Sequence, residues 1–295
     1  MISPELIDVI PVHNVLGEGV IWDASRGTAW WTDIEGCRIY RYQFAAKRLE
    51  QWKTPERLGC FAPVAGEDYL VAAFATGFAY FDPPSGYVQW LQRVEEDKPN
   101  TRLNDGRTDR QGRFWAGSMV ESGGAGEDKG ALYCLDQQRL CSSKILGLSI
   151  SNGLCWSPDS AHMYHADTPN GRIDRYDFDS ETVTLSNRAT FAETEADSWP
   201  DGSTIDVEGY LWNAQWGGSQ VVRYSPTGEV DLVLPVPASQ PTCVAFGGAN
   251  LSTLFVTSAK QGLGEQAVTQ QPDAGNVFVY ATGTKGLVES EFRPQ

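Results

Sequence analysis

The chain has 295 residues, of which 41% are hydrophobic and 21% are charged. This balance excludes wholesale disorder and leaves enough apolar residues for a sizeable core. The 38 acidic and 23 basic residues give a net charge of −15, which repels phosphate backbones and anionic lipid. We therefore expect neither a nucleic-acid partner nor a membrane partner.

The first residues, MISPELIDVI, lack the basic and apolar stretches of a signal peptide, and no apolar run approaches the length of a membrane span. The six cysteines form no C-x-x-C pair and lie far apart, which favours reduced, mostly buried thiols. We expect a cytoplasmic protein that is a monomer or a weak oligomer.

A short strand-like segment recurs six times along the chain. Counted from Trp31 through the equivalent position of each later segment, the repeats are 39, 45, 49, 48 and 43 residues apart, a spacing typical of β-propeller blades. The segments are AWWTDIEG (29–36), YLVAAFATG (69–77), RFWAGSM (113–119), HMYHADTPNG (162–171), YLWNAQWGG (210–218) and TLFVTSA (253–259). The sequence predicts an all-β fold, a six-bladed β-propeller of four-stranded antiparallel blades in a single domain, 1–295.

Most of these segments are followed, after a turn rich in Gly, Asp or Asn, by a second strand-like segment, as in a β-hairpin. We expect the N-terminal segment ELIDVIPV to add a strand to the last blade. We also expect long loops at 121–130 and 260–275, and very little helix, because no stretch shows a sustained helical period. The Trp-rich segments are expected to pack between blades, with Trp199 and Trp216 as possible exceptions near Asp201.

An acidic residue or Asn stands immediately before Gly ahead of four of the six segments. Equivalent positions in a radial repeat form a ring, so these side chains are expected to converge at one mouth of the channel. Their oxygens repel one another unless a cation neutralises them, and they suit Ca²⁺, Mg²⁺ or Mn²⁺. The alternative is that they only form Asx turns. The four pairs are Glu18-Gly19, Asp105-Gly106, Asn152-Gly153 and Asp201-Gly202.

Five longer motifs identify a family resemblance: LGEGVIW (16–22), TRLNDGRTDRQGRFWAGSM (101–119), GALYCLD (130–136), ISNGLCWSPD (150–159) and PDGSTIDVEGYLW (200–212). Together they resemble the senescence marker protein/gluconolactonase family of six-bladed propeller hydrolases. The similarity covers nearly the whole chain. It implies a carboxylic-ester hydrolase that opens sugar-acid lactones, of the gluconic, xylonic, arabinonic or galactonic type, to the free acids in sugar catabolism.

The resemblance also implies that Glu18, Asn152 and Asp201 hold one divalent metal ion, with Ca²⁺, Zn²⁺, Mg²⁺, Mn²⁺ and Fe²⁺ left open. Hydrolysis of a lactone needs an activated water and a stabilised oxyanion, and a metal ion can supply both. Asp201 is the candidate general base. Because the usual pKa of Asp is about 3.9, most of the activation is expected to come from the metal ion.

The same resemblance implies that Arg102, Asn104 and Glu121 contact the substrate. Arg102 could add positive potential beside the oxyanion, although an arginine at this place could instead pair with a carboxylate. Asn104 could serve only in a turn. His162 and His165 lie three residues apart in a predicted strand, which puts them on opposite faces and disfavours a shared metal ion.

Two other functions remain open at this stage. One is an organophosphatase-like esterase, because a metal ion at the propeller mouth can polarise a phosphoryl group as well as a carbonyl group. The other is a calcium-binding or scaffolding propeller without turnover. A serine hydrolase is disfavoured, because the sequence contains no G-x-S-x-G motif.

Overall fold

Short antiparallel strands make up most of the protein, and the computed structural model describes residues 3–121 and 129–295. Most of the loop predicted at 121–130 lies outside the described residues. In chain order the strands begin with β1 (Glu5–Ile10). Blade 1 then contains β2 (Gly17–Asp23), β3 (Thr28–Asp33), β4 (Arg38–Gln43) and β5 (Arg48–Lys53). Blade 2 contains β6 (Leu58–Pro63), β7 (Leu70–Phe74), β8 (Gly77–Asp82) and β9 (Tyr87–Arg93).

The remaining four blades follow the same plan. Blade 3 contains β10 (Thr101–Thr108), β11 (Phe114–Val120), β12 (Gly130–Leu135) and β13 (Cys141–Leu148). Blade 4 contains β14 (Ser151–Trp156), β15 (His162–Asp167), β16 (Arg172–Asp179) and β17 (Thr184–Glu193). Blade 5 contains β18 (Trp199–Ile205), β19 (Leu211–Trp216), β20 (Gln220–Tyr224) and β21 (Val230–Pro235). Blade 6 begins with β22 (Pro241–Gly247), β23 (Thr253–Ser258) and β24 (Val277–Ala281).

Each blade is a four-stranded antiparallel sheet, and in blades 1 to 5 the strands pair in chain order. Blade 6 has the order β1-β24-β23-β22, so the N-terminal strand completes the last blade. The innermost strands β2, β6, β10, β14, β18 and β22 each contact the innermost strands of both neighbouring blades and so close a ring. The predicted six-bladed all-β propeller is confirmed, as is the contribution of the N-terminal segment to the last blade.

Large aromatic side chains fill the space between blades. Trp31, Trp115 and Trp212 occupy the same place in three different blades and are all 0% exposed. Trp115 packs against Trp156 of the next blade, with 5.6 Å between ring centroids. Since an aromatic side chain buries a large apolar area, these contacts hold adjacent blades together, as predicted for the Trp-rich segments.

The loop predicted at 260–275 contains one short helix, α1 (Glu265–Gln270). Six residues are too few to show a helical period, which is why the sequence predicted only a loop there. A 3₁₀ turn, Thr168–Asn170, follows β15. In the described parts of the chain, no helix is both long and apolar enough to cross a membrane.

The channel has two different mouths. We call the end where the innermost strands begin the entry mouth, and the end where they finish the far mouth. The C-terminal segment crosses the far mouth: Gly286 bridges to Asp206, which follows β18, and Phe292 bridges to Val64, which follows β6. Phe292 is fully buried in the core between blades 2 and 3. The far mouth is therefore covered by the chain itself.

Candidate functional site

A cavity of about 420 Å³ lies at the entry mouth. Five of the six predicted site residues line it, and each stands in the first half of an innermost strand: Glu18 on β2, Arg102 and Asn104 on β10, Asn152 on β14, and Asp201 on β18. The structure thus brings together side chains that are far apart in the sequence. Their chemical roles remain predictions.

A β-bulge accompanies the ring residue in each of these strands. The regular pairing with the next strand is interrupted directly after Glu18 and after Asn152, and between Pro200 and Ser203 around Asp201. A bulge re-aims the side chain beside it. The bulge after Glu18 gives residue 19 a φ of 58°, a left-handed conformation that residues other than glycine adopt only with strain, and Gly19 therefore fits there. The acidic-Gly and Asn-Gly pairs seen in the sequence therefore mark the positions of these bulges.

Glu18 and Asp201 are two carboxyl groups buried side by side, 7% and 4% exposed. Glu18 Oε2 accepts a hydrogen bond from the Gly19 amide at 3.0 Å. Asp201 Oδ1 is buried and has no hydrogen-bond partner among the described residues. Burial, followed by the charge of Asp105, raises the pKa of Glu18 to about 8. Burial, followed by the charge of Glu18, raises the pKa of Asp201 well above its usual value.

The residues present fit a divalent cation. Two carboxylates and the Asn152 amide offer oxygen atoms, which are the ligands that hard divalent ions prefer. The partnerless Asp201 Oδ1 is costly to bury as it stands, and a cation would satisfy it. Within residues 3–121 and 129–295, no group of three or more His, Cys, Asp or Glu side chains is arranged to hold a metal ion. A site here therefore needs the Asn152 oxygen in addition to the two carboxylates.

A chain of hydrogen bonds forms one wall of the cavity. Arg102 donates to Asn104 Oδ1 at 2.8 Å, and Asn104 Nδ2 donates to Asn152 Oδ1 at 2.9 Å. Asn152 Nδ2 donates to Thr168 Oγ1 at 2.9 Å, and Thr168 in turn donates to the carbonyl oxygen of Pro200 at 2.9 Å. The chain runs from blade 3 to blade 5 and fixes the orientation of the Asn152 amide.

Asp105, the fourth residue of the predicted ring, lies outside the described lining of the cavity. Its Oδ2 accepts a hydrogen bond from the Leu154 amide of the next blade at 3.2 Å. Burial raises its pKa, and its charge raises the pKa of Glu18. Asp105 therefore influences the cavity indirectly, through the effect of its charge on the pKa of Glu18.

Glu121 lies just outside the cavity, beside Arg102. The distance from Arg102 Nε to Glu121 Oε1 is 4.0 Å. A second arginine, Arg57, forms two parallel bonds to the Glu121 carboxylate. The sequence did not single out Arg57, because nothing in the pattern of the repeats relates it to Glu121.

The lining of the cavity also includes apolar side chains. Among them are Trp199 and Trp216, which are paired across β18 and β19. These are the two tryptophans that the sequence set apart from the inter-blade core. The remaining lining residues are Leu16, Met119, Ile150, Thr168, Pro169 and Gln261, none of which the sequence predicted. Thr168 lies within the fourth repeated segment, and that position was the one available clue.

A buried serine and histidine lie behind the hydrogen-bonded wall. Ser151 Oγ and His165 Nε2 are 2.8 Å apart, and both residues are only 1% exposed. The Ser151 carbonyl oxygen accepts a bond from Asn104 at 3.1 Å. This pair supports the wall and is closed off from the cavity, so it is no hydrolase nucleophile. His162 points to the other face of β15, where it pairs with Asp177, as predicted.

Three comparisons identify relatives of this chain. L-arabinolactonase from Azospirillum brasilense is 39% identical over 282 residues, which cover 95% of this chain and 93% of the relative. Regucalcin from Danio rerio is 36% identical over 282 residues and 95% of each chain. A solved structure of a calcium-binding protein, regucalcin, from Agrobacterium tumefaciens strain C58 has a TM-score of 0.91 at 30% identity and covers 98% of both chains.

The predicted resemblance is confirmed over most of the sequence. The family description "SMP-30/Gluconolactonase/LRE-like region" matches residues 16–260, which contain every predicted site residue. The repeated segments, the bulged ring and the five motifs all fall within this range. The chain belongs to the SMP-30/gluconolactonase/LRE-like family.

Proposed function

We propose that this protein is a metal-dependent lactonase that hydrolyses sugar-acid lactones to free aldonic acids in sugar catabolism. The single observation that supports this most is the partnerless Asp201 Oδ1, buried next to Glu18 on the cavity wall. A buried acidic atom without a partner destabilises the fold. Such an atom in a cavity is expected where a ligand or a reaction uses it.

Glu18, Asn152 and Asp201 would hold the divalent ion. When bound, such an ion supplies positive charge beside the lactone carbonyl and lowers the pKa of a water molecule. Asp201 would accept the proton of the attacking water, either directly or through one carboxylate oxygen while the other oxygen holds the ion. In the metal-free protein, burial and the charge of Glu18 raise the pKa of Asp201 well above its usual value, and the positive charge of a bound ion would offset that shift.

Arg102 would stabilise the negative charge that forms on the carbonyl oxygen. It is 5% exposed, and a guanidinium in such a water-poor place interacts strongly with a developing charge. Its bond to Asn104 Oδ1 at 2.8 Å holds the guanidinium against the wall. Less reorganisation is then needed during the reaction.

The cavity suits a sugar lactone. Its volume of about 420 Å³ lies within the roughly 300–1,000 Å³ of small-molecule pockets. One wall offers hydrogen-bond donors and acceptors for ring oxygens and hydroxyl groups, while the Trp199 and Trp216 side offers an apolar surface for the C–H face of a sugar. A relative is named L-arabinolactonase, and we propose a lactone of this type as the substrate.

We further propose a cytoplasmic location and a monomer or weak oligomer. All six cysteines are free thiols, and four of them are buried. Reduced thiols are typical of the cytoplasm.

The test is a pH-stat assay of lactone opening with gluconic, galactonic, xylonic and arabinonic lactones. Protein freed of metal by a chelator would be assayed alone and after addition of Ca²⁺, Mg²⁺, Mn²⁺, Zn²⁺ or Fe²⁺ in turn. We expect the rate to fall nearly to that of spontaneous opening after chelation and to return with at least one ion. Asp201→Ala should stay inactive with every ion.

Three results would contradict the proposal. Full activity after thorough chelation would show that the reaction needs no metal ion. Full activity of Asp201→Ala would show that Asp201 is not the general base. Metal binding without turnover of any lactone would favour a calcium-binding propeller without catalysis instead.

A further inference from the structure

Four charged side chains form a network at the rim of the cavity. We call Glu35, Arg57, Arg102 and Glu121 the rim network. Glu35 lies in the turn after β3, Arg57 immediately precedes β6, and Glu121 immediately follows β11. All four reach the entry mouth, because β3 ends opposite the start of β2 and β11 ends opposite the start of β10. The network joins blades 1, 2 and 3.

The central contact of the network is a fork between Arg57 and Glu121. Arg57 NH1 lies 2.5 Å from Glu121 Oε1, and Arg57 NH2 lies 2.9 Å from Glu121 Oε2. Glu35 Oε1 lies 3.4 Å from Arg57 NH1 on the other side. A fork with two parallel bonds fixes the plane of the carboxylate as well as its position.

The backbone on both sides of the fork is also held. The Arg57 carbonyl oxygen accepts a bond from the Ala75 amide at 2.8 Å, and the Glu121 amide donates to the Asn100 carbonyl oxygen at 2.8 Å. The side chains of Arg57 and Glu121 are 29% and 34% exposed. A half-buried pair on a fixed backbone is more rigid than a surface ion pair, which contributes little.

The fork leaves Glu121 able to bind a further donor. A carboxylate has about four acceptor positions, and the fork occupies one on each oxygen. The hydrogen bond from Arg57 lowers the pKa of Glu121, so the carboxylate stays ionised at neutral pH. Arg102, which lines the cavity, lies 4.0 Å from Glu121 Oε1. Within residues 3–121 and 129–295, Arg57 is the only residue hydrogen-bonded to the Glu121 carboxylate, which lies beside a residue that lines the cavity.

We propose that Arg57 is a positioning residue that holds the Glu121 carboxylate where it accepts substrate hydroxyl groups, and that this fork makes the enzyme prefer hydroxylated lactones to lactones with a bare ring. The inference rests on the proposed lactonase function and adds a determinant of substrate class to it. Arg57 acts through Glu121, so removing Arg57 should matter only while Glu121 is present.

The test compares two lactones with the same five-membered ring, L-arabinono-1,4-lactone and the unsubstituted γ-butyrolactone. The full-length protein would be loaded with its most activating divalent ion. For Arg57→Gln we expect KM for the hydroxylated lactone to rise about tenfold, the size of one hydrogen bond to a charged group. We expect kcat to change by less than about twofold, because the carbonyl chemistry is untouched.

A double-mutant cycle separates positioning from a general structural effect. Glu121→Gln should raise KM as much as Arg57→Gln does, and the double variant should match Glu121→Gln alone. Arg57→Lys keeps the charge without the fork and should give an intermediate KM. As a matched control, Arg48→Gln removes an arginine that pairs with Glu50 on the outermost strand of blade 1, and it should leave KM unchanged.

The outcomes distinguish the inference from the proposed function. If the unaltered protein opens no lactone, the proposed function fails. If it opens lactones but KM is unchanged in Arg57→Gln, or if the two substitutions are additive, only the role of Arg57 fails. An equal loss of kcat/KM for both lactones would also contradict that role. If Arg57→Gln does not fold, the same comparison can be made with Arg57→Lys, alone and combined with Glu121→Gln. The role of Arg57 then requires that Arg57→Lys raise KM only when Glu121 is intact.

Discussion

Two buried aspartates at opposite ends of one innermost strand differ in how well their carboxylates are hydrogen-bonded. Asp206, just past the far end of β18, is 0% exposed and its carboxylate accepts five hydrogen bonds. Three of them come from Trp212 and Arg223 side chains at 3.1, 2.9 and 2.7 Å. Asp201, five positions earlier at the entry mouth, is nearly as buried, yet its Oδ1 has no partner in the described chain.

The same contrast holds in blade 3. Asp109, at the far end of β10, accepts bonds from two backbone amides and from the Arg113 and Trp115 side chains. At the near end, Asp105 accepts amide bonds but raises the pKa of Glu18 by its charge. Burying a carboxylate is favourable only when its bonds are replaced. The far-mouth carboxylates therefore stabilise the fold, while those at the entry mouth are kept at a cost in stability.

The largest effects are expected when Asp201 on β18 and Asp206 just past it are each replaced by asparagine. Asp201→Asn should lower kcat by about 10²–10⁴-fold, the range for loss of a general base. In metal-free protein it should also raise the free energy of unfolding by about 1 kcal/mol, because the buried Asp201 carboxyl group must keep a proton that a neutral amide does not need. Lactone hydrolysis and urea unfolding measure the two effects.

Asp206→Asn is the matched variant at the far mouth. It leaves Arg223 without its most buried partner and should lower the free energy of unfolding by about 3 kcal/mol. The kcat of the protein that remains folded should be nearly unchanged. Equal effects of the two substitutions on kcat, or on stability, would contradict the division between the two mouths.

A smaller effect is expected at the wall between Asn152 and Pro200. Thr168→Val keeps the shape of the side chain but removes the hydroxyl that accepts from Asn152 and donates to Pro200, both at 2.9 Å. The Asn152 amide is then free to rotate, and kcat/KM should fall about tenfold, as for other residues that orient a metal ligand. Thr194→Val, which removes a hydroxyl bonded to the Gly171 and Ser198 carbonyl oxygens, is the control and should leave kcat/KM unchanged.

A last prediction concerns the stability of the metal-free protein as a function of pH. Burial and Asp105 raise the pKa of Glu18 to about 8, so the folded, metal-free protein keeps a proton that the unfolded chain releases above its ordinary value of 4.5. The folded state binds more protons in this window, and stability therefore falls as pH rises from about 4.5 to about 8, by about 1 kcal/mol per pH unit. Urea unfolding of chelated protein at several pH values measures the slope. Glu18→Gln should make the slope shallower, because one of the retained protons is removed, and an unchanged slope would contradict the shift.

The sequence was most informative where structure repeats. A bulge lies beside the ring residue at a similar place in four blades, and the glycine that marks it allowed Glu18, Asn152 and Asp201 to be aligned without coordinates. Asp201 and Asp206 both lie in the same motif, PDGSTID. The glycine after Asp201 marks the bulge and was enough to separate them.

Contacts between blades could not be read in this way. Thr168 reaches the Pro200 carbonyl oxygen of the next blade, and Arg57 reaches Glu121 across 64 positions of sequence, only because particular rotamers meet when blades pack. No period in the sequence encodes such a meeting. The repeat pattern can also mislead: Asp105 shares the ring pattern, yet its carboxylate accepts a hydrogen bond from the Leu154 amide and does not line the cavity.

The pairing of β1 with β24 has a consequence for biosynthesis. β1 spans Glu5–Ile10 and its partner β24 spans Val277–Ala281, so β1 is synthesised long before the strand with which it pairs. A growing chain can complete the other five sheets but cannot close the sixth until β24 has been made. Products that stop before β24 should lack the closed ring around the entry-mouth cavity, and we expect them to be inactive.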